Sequence, residues 1–347
     1  MTLAARLAAE IAQSGPIGID AYMMRCLHDP QEGYYATRPD LGGDFVTAPL
    51  VSQMFGELIG LWLAETWRGL GTPARVLLAE AGPGDGTLMA DVLRAARLAP
   101  DFLAASELWL IETSAPLRAT QGQRLADATP RWAASLDELP ADAPLLLIAN
   151  EFLDCLPARQ FQRTANGWAE RVVGLDAAGA LAFGLRPAAG CFDEAATGQI
   201  VERSPAQEAF AAALAERLVT QGGAALLVDY GRDAPGVGDT LQALARHEKV
   251  DVLADPGGAD LTVHADFPAV LAAVRSAGAE AALLTQGDFL RRLGIEARAS
   301  QLAATRPDRA GEIDRQLERL AGAEEMGRLF KAAAIWTGPA PPTFEAP

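Results

Sequence analysis

The sequence predicts an α/β fold built on a parallel sheet with crossover helices. Three observations support this. Short, wholly apolar runs alternate with amphipathic helical stretches from residue 75 onward. The runs lack the polar alternation of a half-exposed sheet, so both of their faces are buried. One of them, "VLLAE", leads through a glycine-rich turn into a helix, "TLMADVL".

The elements follow in order. Residues 1–70 read as a helical N-terminal region. "LAARLAAEIA" carries apolar residues at helical spacing and stops at Gly15-Pro16, and "IGIDAYMMRCL" starts a second helix. A long Gly/Pro/Asp-rich stretch, "HDPQEGYYATRPDLGGDFVTAP", comes next, and loops of this length in a compact chain are usually functional. "LVSQMFGELIGLWLAETWRGL" is a third helix. Strands are then expected at 75–80, 108–112 and 144–150, with helices at 85–97 and 115–126 between them. Residues 159–186 alternate polar and apolar around "NG" and "AAG" turns, which predicts an antiparallel hairpin insertion. A helix at 205–220 and a strand at 224–231 resume the α/β rhythm. A loop-rich stretch covers 232–265. A helix at 267–277, a strand at 281–285, two or three helices over 287–322 and a last strand, "LFKAAAIW", complete the chain. The second domain therefore spans 71–347, with insertions at about 155–204 and 232–265.

Composition narrows the function. With half of the 347 residues hydrophobic and 21% charged, the chain is globular. A net charge of −16 disfavours nucleic acid and anionic membrane and suits a small cationic ligand or an Arg/Lys-bearing protein partner. Cys26, Cys155 and Cys191 and the three histidines are scattered, so neither a disulfide framework nor a metal site is expected. No run reaches the roughly 18 apolar residues of a membrane span, and the N-terminus reads as a soluble helix, so the expected compartment is the cytoplasm.

The turn after "VLLAE" holds Glu80, Gly82, Pro83, Gly84 and Gly86. Glycines there allow a sharp bend and let a ligand approach the backbone. The carboxyl end of a first strand is also where doubly wound folds bind nucleotide-like ligands. The spacing departs from the dinucleotide fingerprint G-x-G-x-x-G: the third glycine comes one residue early, and Pro83 lacks an N–H. A P-loop is excluded because no G-K-[ST] follows. Glu80 and Asp85 would favour a cationic adenosyl ligand over a pyrophosphate. Glu112, ending the second strand, suits the ribose hydroxyls of either kind of ligand.

At the end of "LLLIANEFLDCLP", Asn150, Glu151 and Asp154 stand at the same carboxyl edge. The two acids could clamp a guanidinium or accept a proton from an attacking nitrogen. They could equally cap a helix or pair with Arg159. Upstream, Asp44, Thr47, Gln53 and Glu57 read as a polar segment able to fold over a cofactor.

The blocks "HDPQEGYYATRPDLGGDFVTAPLVSQMFGELIG", "EAGPGDGTLM", "ANEFLDCLPARQF", "GDTLQALARHEKVDVLADPGGADLTVHADF", "LTQGDFLRRLGI" and "MGRLFKA" run from about 16 to 333. Through them the chain resembles the MidA-like family of bacteria, relatives of the mitochondrial complex I assembly-factor arginine methyltransferase. The resemblance implies a Rossmann-like class I methyltransferase sheet of seven strands, the last antiparallel. It implies S-adenosylmethionine as cofactor, S-adenosylhomocysteine as product, and an arginine of a protein partner, such as a complex I subunit, as acceptor. The expected cofactor contacts are Glu80, Gly82, Pro83, Gly84, Gly86, Glu112, Thr47, Gln53, Glu57 and Leu136. The expected catalytic residues are Glu151, Asp154 and Asn150. An assembly chaperone that binds the cofactor without turnover, a small-molecule methyltransferase and a nicotinamide oxidoreductase are the competing readings.

Overall fold

The computed structural model describes residues 1–38, 47–189 and 195–344. Its main sheet has seven strands along one path: β1 (Val76–Ala81), β2 (Ser106–Ile111), β3 (Arg131–Ala133), β4 (Leu145–Asn150), β5 (Gly223–Arg232), β6 (Glu280–Thr285) and β7 (Phe330–Thr337). Their spatial order is β3-β2-β1-β4-β5-β7-β6. β1 to β5 pair in parallel, and β7 runs antiparallel to both β5 and β6. A two-residue strand, Ala265–Asp266, pairs in parallel with the end of β5. The chain moves outward from β1 to β3 and then returns to lay β4 on the other side of β1. The reversal opens a crevice beyond the carboxyl ends of β1 and β4.

β1 and β4 are buried along their whole length, which explains their unbroken apolar runs. Alternate residues feed two layers. Leu78, Ile148 and Leu226 pack against the helices Gln53–Gly69 and Thr87–Ala96. Leu77, Leu147 and Leu227 pack against Pro205–Gln221 and Phe267–Ser276. Each such leucine contributes roughly 1.5–3 kcal/mol relative to exposure.

The N-terminal region serves two different layers. Its helix Gln53–Gly69 belongs to the main core, lying so close to Thr87–Ala96 that a Cβ on Gly56 would come within 2.5 Å of the Asp91 Cβ. The helices Leu3–Ser14 and Ile19–His28 instead pack with the insertion. That insertion is larger than a hairpin. Arg159–Thr164, Gly167–Leu175 and Leu181–Pro187 form the expected antiparallel run, and Ile200–Arg203 and Ile17–Gly18 extend it to five strands.

Two features lay below the resolution of the sequence. β3 is three residues long, too short to show a period. The stretch read as loop-rich contains a three-stranded sheet of Gln242–Ala245, Glu248–Val250 and Asp260–Thr262. Its tight turn uses Arg246 (φ 53°) and His247 (φ 66°), where a turn signal would have been Asn or Gly. No described helix is long and apolar enough to cross a membrane.

Candidate functional site

The crevice contains a cavity of about 390 Å³, within the range of about 300–1,000 Å³ common for small-ligand sites. The glycine loop forms one wall. Gly84 has φ +51°, and a Cβ built on it would meet no atom of the described residues within 4 Å. Asp85 Oδ1 accepts the Thr87 N–H at 2.9 Å and so caps the helix that follows.

Glu80 is the next-to-last residue of β1, behind this loop. It is 2% exposed, and its Oε2 has no hydrogen-bond partner among the described residues. Burial, reinforced by Asp85, pushes its pKa up to about 8. A buried, unbonded carboxyl facing a cavity is built for a cationic partner, because leaving it unpaired is costly. Glu112 follows β2. Its Oε1 accepts from Ser114 N at 2.7 Å and its Oε2 from Gln121 Nε2 at 3.3 Å, and burial raises its pKa. Each oxygen keeps a lone pair for a ligand hydroxyl.

Across the crevice, β4 delivers Asn150 and Glu151. Glu151 has φ +50°, an uncommon conformation for a residue with a side chain. Its Oε1 accepts from Asn150 Nδ2 at 3.1 Å and from Ala48 N at 3.3 Å. Burial first, and then Asp154, push its pKa up to about 8. The Asn150 Oδ1 is buried and has no partner among the described residues.

The structure thus brings Thr47, Glu80, Gly82, Pro83, Gly84, Glu112, Leu136, Asn150 and Glu151 to one cavity. Gly86 stands behind Gly84 in left-handed conformation at the start of the helix Thr87–Ala96. Three residues fall elsewhere. Gln53 is exposed at the start of its helix and does not line the cavity. Glu57 is engaged by Arg298 at 2.8 and 3.2 Å and by Arg94 at 3.3 Å, so its carboxylate ties three helices together and is turned from the cavity. Asp154 lies beneath the cavity wall, 6% exposed, its carboxyl hydrogen-bonded to Tyr230 and raised by burial to about 6. Asp44 lies outside the described residues. Arg159 pairs with Glu170 at 2.8 Å.

His28, Tyr35, Phe152, Cys155 and Phe210 also line the cavity. Phe152 and Cys155 share the "ANEFLDCLP" block with Asn150 and Glu151, and His28 and Tyr35 belong to the long stretch read as a loop upstream, but their chemistry singles none of them out. Phe210 comes from a separate helix without a motif. Gln121 was missed as well. Fully buried, it donates to Gly84 O at 2.7 Å and to Glu112, and it accepts from Trp132 Nε1 at 2.8 Å. It joins the glycine loop to the acid of the second strand.

The lining carries Glu80, Asp85, Glu112 and Glu151 and, among the described residues, no lysine or arginine. Once ionised, these acids suit a ligand with a sulfonium and an ammonium and disfavour a pyrophosphate.

The sequence profile of the family described as "Putative S-adenosyl-L-methionine-dependent methyltransferase" matches residues 58–285. The chain belongs to this family. It is a methyltransferase that uses S-adenosylmethionine. The methyltransferase is 34% identical to the Drosophila melanogaster "Protein arginine methyltransferase NDUFAF7 homolog, mitochondrial", over 97% of this chain and 85% of that one. It is 33% identical to the Mus musculus "Protein arginine methyltransferase NDUFAF7, mitochondrial", over 94% and 82%. Its fold matches the crystal structure of a Burkholderia thailandensis protein bound to S-adenosyl-homocysteine, with a TM-score of 0.84 and 30% identity over 99% of this chain and 94% of that one. The seven-strand sheet with its antiparallel β7 is the class I methyltransferase arrangement that the sequence blocks implied.

Proposed function

We propose that this methyltransferase moves the methyl group of S-adenosylmethionine onto a guanidinium nitrogen of an arginine in a protein partner. The observation that carries the reading is Glu151, a carboxylate fixed in left-handed backbone at the end of β4. It stands across the switch point from the glycine loop, in a cavity lined by acids. The names of the mitochondrial relatives support arginine as the acceptor. A respiratory complex I subunit is the first partner to test, and a bacterial cytoplasm is the proposed compartment; only Lys249 and Lys331 are lysines among 29 Lys and Arg residues, which fits a GC-rich bacterial genome.

In this reading Gly82, Pro83, Gly84 and Gly86 cradle the adenosyl group, Glu112 takes its ribose, Glu80 faces its cationic end, and Thr47 and Leu136 close the sides. The cofactor supplies an electrophilic methyl group on sulfur. Glu151, steadied by Asn150, takes the guanidinium by charge-assisted hydrogen bonds and localises its charge, so that one nitrogen can attack in line. As the bond from nitrogen to the methyl carbon forms and the methyl–sulfur bond breaks, the guanidinium would lose one proton to the Glu151 carboxylate, which would pass it to solvent.

The test is incubation of the full chain with methyl-labelled S-adenosylmethionine and purified complex I subunits or arginine-containing peptides, followed by mass spectrometry. Label on arginine supports the reading. Label confined to lysine, to a carboxylate or to a small metabolite overturns it.

Glu80 adds a pH dependence. Its carboxyl titrates near 8 in the free protein and must ionise to meet a cation, so binding releases a proton below pH 8. Cofactor affinity should therefore rise with pH, by up to about tenfold per unit, and level off above about 8. Glu80→Gln should flatten the curve. Calorimetry in buffers of different ionisation enthalpy reads the proton release directly, and a flat wild-type curve would refute the assignment. Folding runs the other way. The folded carboxyl holds its proton where the unfolded one, near 4.5, has lost it, so the cofactor-free protein should lose stability as pH rises from about 4.5 to 8.

A further inference from the structure

Asp229, near the carboxyl end of the strand β5, is 1% exposed and does not line the cavity. Its Oδ2 accepts three consecutive backbone N–H groups, those of Phe152 at 3.1 Å, Leu153 at 2.8 Å and Asp154 at 3.2 Å. Its Oδ1 accepts the Tyr230 N–H at 2.9 Å. Three successive N–H groups converge on one oxygen only where the chain curls around it, and the residue at the mouth of the curl is Glu151. The N–H of Glu151 donates to Val228 O at 2.8 Å, so the backbone on either side of Glu151 is pinned to consecutive residues of one strand. The left-handed backbone of Glu151 costs about 1–2 kcal/mol for a residue with a Cβ. The bonds to Asp229 offset it.

We propose that Asp229 is a positioning residue for methyl transfer: by gathering the amides of residues 152–154 it holds Glu151 in left-handed backbone and so aims the Glu151 carboxylate into the cavity. The inference rests on the role assigned to Glu151 above. Asp229 touches no cavity space and moves no proton in the reaction. Burial and the neighbouring Asp154 and Glu151 raise its pKa, and the N–H donors of Leu153 and Asp154 favour its charged form. A leucine of similar size would fill the volume and take this acceptor from all four N–H groups, those of Leu153 and Asp154 being buried.

The test uses the full chain saturated with S-adenosylhomocysteine, with ethylguanidinium as a probe for the arginine head. Wild type, Glu151→Gln, Asp229→Ala and Asp229→Asn are compared by titration calorimetry and by amide hydrogen exchange. Asp229→Ala should weaken ethylguanidinium binding at least tenfold, as Glu151→Gln does, and leave S-adenosylhomocysteine affinity within about twofold. Exchange should quicken at least tenfold at Phe152, Leu153 and Asp154, while the amides of β4 keep their protection. Asp229→Asn keeps one acceptor oxygen and should weaken the probe less than alanine does. Its N–H₂ replaces either the oxygen that takes three N–H groups or the one that takes the Tyr230 N–H, so at least one of those amides should exchange faster. It also serves if the alanine variant fails to fold. Unchanged protection at all four amides overturns the inference. Wild-type probe binding by Asp229→Ala, with binding lost in Glu151→Gln, also overturns it and spares the arginine reading. Wild-type probe binding by Glu151→Gln overturns the arginine reading and with it the positioning role for methyl transfer, whatever the exchange rates.

Discussion

Gly84→Val is expected to lower affinity for S-adenosylmethionine at least about 100-fold, a loss of about 2.7 kcal/mol. Two effects add. Gly84 sits at φ +51°, where a residue with a Cβ carries about 1–2 kcal/mol of strain, and a β-branched one is a clear outlier. The added Cβ also meets no atom of the described residues within 4 Å, and Gly84 lines the cavity, so the valine methyls would take space that the adenosyl group needs. Any shift that relieves the strain moves the Gly84 carbonyl, and with it the 2.7 Å bond from Gln121 that also reaches Glu112. Only the strain acts on the empty protein. The fold should therefore survive with a modest drop in Tm, and calorimetry on folded protein separates the two effects. Micromolar affinity in the variant would remove the glycine loop from the cofactor site. Competition with NAD belongs in the same experiment, because displacement by NAD would contradict a cavity lined by four acids and no described cation.

How much was legible in the sequence follows from where each signal is stored. β1, β4 and β5 were readable because two-sided burial writes an apolar run into the strand itself. The glycine loop was readable because its backbone needs glycine at fixed positions. β3 and the Arg246-His247 turn were not, the first because three residues have no period, the second because its left-handed residues have no sequence mark. Glu57 shows the limit of reading polar residues one at a time. An acid on a helix facing a cofactor loop looks the same whether it waits for a ligand or for Arg298, 241 positions away. The position of Glu151 at a strand's carboxyl end was legible, and its conformation was not. The carboxylate that gathers its turn arrives 78 residues after it, on another strand.

Glu151→Gln is expected to lower kcat for methyl transfer by about 10²–10³ and to leave S-adenosylhomocysteine affinity within about twofold. The substitution is isosteric. A glutamine oxygen can still accept from Asn150 Nδ2 and Ala48 N, and the turn is held from outside by Asp229, so the side chain should stay in place. What disappears is the negative charge opposite the guanidinium. Charge-assisted bonds are roughly twice as strong as neutral ones. Losing about 3–4 kcal/mol of such stabilisation in a buried site corresponds to the fold-change given. The pH profile supplies a second mark. Glu151 titrates near 8 in the free protein and must be ionised to clamp a cation, so the wild-type KM for the acceptor should fall as pH rises toward 8. The variant has no such group, and its KM should be flat over that range. Unchanged turnover in Glu151→Gln would take the carboxylate out of the reaction. A chaperone that holds the cofactor without turnover would show the same indifference, with no labelled arginine in either protein. Lost turnover together with a flattened KM profile has no account in a protein that only binds, because both readings depend on the charge of one carboxylate during methyl transfer.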